Sequence, residues 1–213
     1  METVLWSHPE AERAGKPLLL MLHGYGSDES RMSAAFKDLP RGFVCAAPRA
    51  PMDIAGDYGW FLLDYFLVND FAAVVGAATK VLAWLDTEMV RHKFSSVSVL
   101  GFSQGMAMAT TLIRLRPDMF MTGVGLSGFA LNNELLATME PLERKLPFFW
   151  GRDVADLVIN PDATEFTSEW LAANTDLQQA RYDAMGHTMR ADELADVSSF
   201  LTANVPGSFT PSS

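Results

Sequence analysis

Residues 97–117 read as a strand, a sharp turn and a helix in direct succession, and this stretch constrains the fold more than any other. Residues 97–101 suit a β-strand, Gly-Phe-Ser-Gln-Gly follows, and an apolar helical pattern begins at once. The pattern is typical of a nucleophile elbow, whose central residue, here Ser103, adopts strained dihedrals that expose its hydroxyl. Gly101 and Gly105 lack side chains, which leaves room for the helix to pass close to the strand. The stretch therefore predicts an acyl-transfer nucleophile facing the N–H groups of a helix start.

The motif Gly-x-Ser-x-Gly alone also occurs in ordinary glycine-rich surface turns. The buried strand before it and the small residues Ala107 and Ala109 after it, which allow close packing on a sheet, favour the elbow here.

The composition suits one soluble domain. A chain of 213 residues that is 49% hydrophobic can bury a large core, so we expect a single domain over residues 1–206 and a disordered tail at 207–213. The net charge of −10 argues against nucleic acid and anionic membrane surfaces as partners. Residues 71–85, the longest nearly apolar stretch, are too few for a membrane span and include Lys80.

The N-terminus carries neither a basic region nor a long apolar core, so a secretory signal is not expected and the cytoplasm is the default location. The lone cysteine, Cys45, lies in an apolar run without a turn motif, which predicts a small buried residue and not a nucleophile. The four histidines show no metal-ligand spacing.

A second glycine turn follows the apolar run at residues 17–22, which is typical of a buried strand. Gly24 and Gly26 allow the backbone to present N–H groups inward, as the second half of an oxyanion hole requires, although an ordinary strand-to-helix turn would look similar. His23 precedes these glycines, so we expect it to brace the loop by hydrogen bonding and not to act as a base. Asp28 or Ser30 can cap a short helix with an apolar stripe from Met32 to Leu39.

The segment after the next strand is unusually apolar. Its aromatic residues should either pack in the core or form the wall of a pocket beside Ser103. Trp60, Phe61 and Leu62 are the candidates for binding substrate, and no segment is long enough to form a large cap domain.

Two acids follow the strand predicted at residues 147–150, within a loop at 151–156. We favour Asp156 over Asp153 as the acid that orients a histidine, because the apolar trio at 157–159 can anchor the loop behind Asp156. The alternative is that both are solvated loop carboxylates. His187 lies in the loop after the last predicted strand, so it belongs to the same sheet edge as Ser103 and is the expected general base.

Strands alternate with helices throughout, which predicts an α/β fold with a mostly parallel central sheet flanked by helices. The chain order Ser103, Asp156, His187 is that of α/β-hydrolases.

With LLLMLHGYGSDE around Tyr25, GFSQG around Ser103, DLVI at Asp156 and MGH at His187, the chain resembles the small carboxylesterase/phospholipase family, which includes acyl-protein thioesterases. The resemblance covers nearly the whole chain, and the Trp60–Phe61 pair is similar to one found near the site in that family. It implies an α/β-hydrolase fold and backbone N–H groups of Tyr25 and Gln104 as the oxyanion hole. One departure is that Gly151 and Asp156 are further apart than usual.

The resemblance also implies hydrolysis of small-molecule acyl esters through an acyl-enzyme, without a metal or other cofactor. The apolar loop at residues 58–67 can line a pocket, bury a homodimer contact or touch lipid, and these three alternatives stay open. A thioesterase or lysophospholipase with the same three residues is the nearest alternative. A binding protein that has kept a hydrolase fold is the alternative from another class.

Overall fold

The computed structural model describes residues 1–63, 71–140 and 142–206. The predicted tail at 207–213 and the apolar segment beyond Leu63 lie outside the described residues.

The centre of the fold is a seven-stranded sheet, accompanied by a two-stranded hairpin. The strands are β1 (Val4–Trp6), β2 (Leu18–Leu22), β3 (Val44–Pro48), β4 (Met52–Ile54), β5 (Asp57–Gly59), β6 (Val97–Phe102), β7 (Phe120–Leu126), β8 (Leu146–Asp153) and β9 (Thr175–Tyr182). The sheet order is β1-β3-β2-β6-β7-β8-β9; β1 runs antiparallel to β3, and the other neighbours are parallel. The carboxyl ends of the parallel strands therefore meet at one edge.

Helices cover both faces of this sheet. They are α1 (Glu29–Ser33), α2 (Phe71–His92), α3 (Gln104–Leu115), α4 (Glu134–Ala137), α5 (Pro161–Asn174) and α6 (Ala191–Asn204). One core cluster packs α2, α3 and α5 on the sheet, and a second packs α1 and α6 on the other face. All five side chains of β2 are fully buried between the two clusters. The predicted α/β architecture is confirmed, and no helix of the described ranges is both long and apolar enough to cross a bilayer.

Short polar side chains fix several helix starts. Asp28 accepts hydrogen bonds from the N–H groups of Ser30 and Arg31, and Asn160 accepts one from Asp162, with Pro161 as the first helical residue. Asp28 is one of the two residues predicted to cap the first of these helices.

Three predicted elements differ from the structure. The stripe from Met32 to Leu39 is not one helix, because α1 ends at Ser33 and one turn of 3-10 helix follows at Phe36–Asp38. The β4–β5 hairpin occupies a segment predicted as loop. Strand β8 continues to Asp153 through eight register pairs with β9, so Asp153 ends a strand and does not belong to a loop.

Glu193 is fully buried where α6 packs on β8, and a side chain at Gly151 would overlap its carboxyl group. Neither of its oxygens has a hydrogen-bond partner among the described residues. Burial is the main cause that raises the pKa of Glu193 from 4.5 to about 8. The native state therefore binds this proton more tightly than the unfolded chain, and stability falls as the pH rises between these two values.

We expect Glu193→Gln to raise the free energy of unfolding at pH 8 by roughly 2 kcal/mol and to leave it nearly unchanged at pH 4. Urea unfolding of both proteins at the two pH values measures this difference. Glu169→Gln, at an exposed position of α5, is the matched control. A difference in stability between the two proteins that stays the same from pH 4 to pH 8 would contradict the expectation.

Candidate active site

Ser103 lies between β6 and α3 with φ 53° and ψ −120°, a backbone conformation that L-residues rarely adopt. Its N–H donates to the carbonyl of Leu126 at the end of β7, at 2.9 Å. A methyl group added at Gly105 would overlap the backbone carbonyls of Leu22 and His23. The helix can therefore cross the end of β2 only with glycine at this position, and this crossing holds the strained serine in place.

His187 connects Ser103 to Asp156. Its Nε2 lies 3.0 Å from Ser103 Oγ, and its Nδ1 lies 2.9 Å from Asp156 Oδ2. Because a carboxylate only accepts hydrogen bonds, Nδ1 is the ring nitrogen that donates to Asp156, and Nε2 is left to accept from the serine hydroxyl. The Phe102 ring lies against the imidazole, with ring centroids 5.1 Å apart. The structure thus brings together the three residues predicted from three separate loops.

The loop behind Asp156 is held differently from the expectation. Of the predicted apolar trio, only Ile159 packs against the core, whereas Leu157 is 96% exposed and Val158 65%. In addition, Asp156 Oδ1 accepts hydrogen bonds from the N–H groups of Val158 at 2.8 Å and Ile159 at 3.4 Å. The carboxylate therefore organises its own loop with one oxygen and contacts His187 with the other.

Asp153 joins the loop that carries Asp156 to the loop that carries His187. Its carboxylate accepts hydrogen bonds from Ala155 N–H at 2.6 Å and Gly186 N–H at 2.5 Å. These backbone donors hold the pKa of Asp153 below its usual value. Asp153 does not contact the imidazole; it fixes the spacing between the two loops.

The loop after β2 passes directly beside the elbow. A Cβ added at Gly24 would lie 3.2 Å from Ser103 Cβ, so a larger residue would press on the serine. The next residue, Tyr25, is the predicted oxyanion donor of this loop. Beyond it, the N–H groups of Gly26 and Ser27 donate to the carbonyl of Tyr58 in β5. The unpredicted hairpin therefore supports the loop from behind.

His23 braces the same loop, as predicted. It is fully buried, its Nε2 accepts from Ala50 N–H at 3.0 Å, and its Nδ1 is 2.8 Å from the Gly24 carbonyl. Nδ1 therefore carries the ring proton. Burial lowers the pKa of His23, which keeps the ring neutral and suited to these two bonds.

Trp60 and Phe61 are each only 2% exposed and pack in the core. The Trp60 indole N–H donates to the His23 carbonyl at 2.8 Å. The Gln104 side chain forms hydrogen bonds with the backbone of both residues: Oε1 accepts from Trp60 N–H at 3.0 Å, and Nε2 donates to the Phe61 carbonyl at 2.7 Å. Leu62, in contrast, is 58% exposed. Trp60 and Phe61 thus lie behind the site and not on its open surface. The two hydrogen bonds from the Gln104 side chain could not be predicted from the sequence.

A small cavity of about 120 Å³ opens beside Ser103. It is lined mainly by apolar side chains from the loop before residue 64, the loop after β7 and the start of α5: Leu63, Ser103, Gln104, Phe129, Val158, Ile159, Asn160 and Ala163. Trp60, Phe61 and Leu62 are not among these lining residues. The stretch from Ser127 to Phe129, after β7, is where the sequence predicts that a second backbone segment meets the cleft, and Phe129 lines the cavity. Ile159 and Ala163, in the loop before α5 and in its first turn, were not predicted as neighbours of Ser103.

A mostly parallel sheet between two helical layers, with a serine elbow after a central strand, defines an α/β-hydrolase. The sequence profile of the phospholipase/carboxylesterase family matches residues 9–205, and the chain belongs to this family of hydrolases.

Individual relatives agree with this assignment. A probable carboxylesterase of rice, Oryza sativa subsp. japonica, is 23% identical over 93% of this chain and 81% of that protein. Acyl-protein thioesterase 1 of the yeast Debaryomyces hansenii is 26% identical over 73% of this chain and 72% of that protein.

Solved structures agree in fold. Esterase PE8 has a TM-score of 0.78 at 25% identity, covering 95% of this chain and 98% of that chain. Acyl-protein thioesterase 2 of Zea mays also has a TM-score of 0.78, at 22% identity and with the same coverage.

Proposed function

We propose that the protein is a serine carboxylesterase that hydrolyses short- to medium-chain acyl esters through an acyl-enzyme. The observation that carries this proposal is the chain of hydrogen bonds from Ser103 Oγ through His187 to Asp156, placed on a strained elbow. An isolated serine hydroxyl is a weak nucleophile, and an adjacent base oriented by a third group activates it.

In the proposed mechanism, His187 Nε2 takes the proton of Ser103 as Oγ attacks the ester carbonyl. Asp156 holds Nδ1–H and stabilises the imidazolium that forms. The imidazolium then protonates the departing alcohol, and water repeats the sequence on the acyl-enzyme.

The backbone N–H groups of Tyr25 and Gln104 are the proposed oxyanion donors. Gln104 opens α3, where the first N–H groups have no intrahelical acceptor, and Tyr25 follows the close contact between Gly24 and Ser103. Each donor of this kind contributes about 3 kcal/mol to transition-state stabilisation.

The cavity volume favours short acyl chains. About 120 Å³ of mainly apolar space beside Ser103 suits a short chain such as butyryl. A longer chain would have to continue over the exposed side chains of Leu62 and Val158. In this proposal Trp60 and Phe61 act on substrate indirectly, by positioning Gln104 and the loop that leads to Leu62.

Thioester hydrolysis is the second candidate, because one relative is named an acyl-protein thioesterase and the same three residues would serve. A lysophospholipid would also present an acyl ester to Ser103, and its long acyl chain would have to extend beyond the cavity.

The test is hydrolysis of p-nitrophenyl acetate, butyrate and octanoate, together with butyryl and octanoyl thioesters, followed by labelling with a fluorophosphonate. We expect the highest kcat/KM for butyryl oxygen esters and a single covalent adduct at Ser103, located by peptide mass spectrometry. A folded wild-type protein that is no faster than Ser103→Ala on every ester and thioester, and that takes no label, would instead support the binding-protein alternative.

A further inference from the structure

A second cavity, of about 430 Å³, lies on the face of β8 and β9 that α5 covers. Its strand side includes Trp150, Arg152 and Arg181, and its helix side includes Thr164 and Ser168. This volume is within the range of small-molecule sites. We call it the arginine cavity.

Arg152 and Arg181 both line this cavity. Arg152 and Arg181 are register partners on adjacent parallel strands, so their side chains emerge side by side on the same face. Burial and the charge of Arg181 both lower the pKa of Arg152. Like charges held together in this way favour an anion between them.

Neither arginine forms an ion pair within the described ranges, whereas Arg49, Arg114 and Arg190 each pair with a carboxylate. Arg152 donates a hydrogen bond from Nε to its neighbouring backbone carbonyl at 3.3 Å. Two carboxylates also line the cavity, but Asp156 is hydrogen bonded to His187, and Glu165 is exposed. The charges of Asp156 and Asp153 act on Arg152 from a distance, and Arg181 is exposed. Because neither arginine has a direct carboxylate partner in the described ranges, both guanidinium groups can still bind the anionic group of a ligand.

The base of the cavity adds a further polar group without a partner. Trp150 is 1% exposed, and its indole N–H has no acceptor among the described residues. A buried donor of this kind is normally satisfied. The guanidinium of Arg152 lies over the Trp150 ring, 5.6 Å from its centroid, and Ile159 and Pro161 supply apolar surface next to the arginines.

The arginine cavity shares a wall with the cavity beside Ser103. Asp156, Ile159 and Pro161 line the former, and Val158, Ile159 and Asn160 line the latter. Residues 156–161 therefore separate the two cavities, and they include the acid that contacts His187.

We propose that the arginine cavity binds a small organic anion, whose carboxylate or phosphate group is held by Arg152 and Arg181 while its apolar body lies against Ile159 and Pro161. Occupation of the cavity changes the rate of hydrolysis at Ser103 through the shared wall. This second statement rests on the proposed function, whereas binding itself does not.

Isothermal titration calorimetry at low ionic strength tests binding, with phenyl phosphate, benzoate and inorganic phosphate as probes and uncharged benzamide as the control. We expect a Kd of about 1 mM or tighter for one of the organic anions. Arg152→Gln and Arg181→Gln should each weaken it roughly tenfold, because each removes charge-assisted hydrogen bonds. The preference between phenyl phosphate and benzoate identifies the anionic group that the cavity binds. Strong binding of inorganic phosphate alone would contradict the proposal that the ligand has an apolar body.

Arg116→Gln is the matched control, because Arg116 is an exposed arginine that pairs with Asp86 elsewhere on the surface. Calorimetry on Ser103→Ala makes the binding result independent of catalysis. Equal affinity in the wild type and in the Arg152→Gln/Arg181→Gln variant, with thermal unfolding showing both folded, would overturn the site.

The rate with p-nitrophenyl butyrate, measured with and without the bound anion, tests the coupling. We expect kcat/KM to change in the wild type and in Arg116→Gln but not in the double arginine variant. Purely competitive inhibition that persists in the double variant would place the anion at Ser103 and refute the proposal.

Discussion

Ser103→Ala and His187→Ala should each lower kcat/KM for p-nitrophenyl butyrate by roughly 10⁵-fold or more, because the proposed mechanism uses the three hydrogen-bonded residues as one unit. Asp156→Asn should cost about 10⁴-fold, since an amide at this position favours the wrong imidazole tautomer. Steady-state kinetics measures these losses, with circular dichroism to show that each variant is folded.

Asp153→Asn is the comparison that separates the two acids. An asparagine keeps one acceptor for the N–H groups of Ala155 and Gly186 but not both, so we expect a loss of only about tenfold. A loss at Asp153 equal to that at Asp156 would mean that the hydrogen bond between Asp156 and His187 is not the one that matters for catalysis.

Gly105→Ala should destabilise the protein by about 4 kcal/mol or prevent folding, because its methyl group would enter the backbone of Leu22 and His23. Neither side can yield easily, since β2 is the fully buried centre of the sheet and α3 starts at the strained serine. Thermal and urea unfolding measure the effect.

Gly76→Ala provides the control for this substitution. Gly76 is an exposed position inside α2, and nothing lies within 4 Å of an added Cβ. Here alanine should stabilise the protein by roughly 0.5–1 kcal/mol through its higher helix propensity. Equal effects at the two positions would show that the crossing at Gly105 is looser than described.

Local patterns were sufficient to predict much of the fold and the candidate site. The position of Ser103 could be predicted because the elbow needs a buried strand, two glycines and a helix in direct succession, and all of these lie within residues 97–117. His187 and Asp156 follow from the rule that parallel strands place their carboxyl ends at one edge.

Long-range pairing set the features that the sequence did not reveal. Strand β8 extends to Asp153 because β9 offers partners as far as Tyr182, a register that no local pattern encodes. Apolar side chains were predicted to anchor the loop behind Asp156; Ile159 does pack against the core, but Leu157 and Val158 are exposed, and two backbone N–H groups bound to Asp156 also hold the loop. Hydrophobicity indicated burial there, but the carboxylate was the stronger organiser.

The pair of hydrogen bonds between the Gln104 side chain and the backbone of residues 60 and 61 has a practical consequence for redesign of the acyl-binding site. It recognises the Trp60 N–H and the Phe61 carbonyl, which every non-proline residue supplies, so the attachment does not depend on the side chains that follow. Leu62 and Leu63 come next, one exposed and the other in the wall of the Ser103 cavity. A library that varies these two positions alone would test new acyl preferences without changing the surroundings of Ser103, the proposed nucleophile.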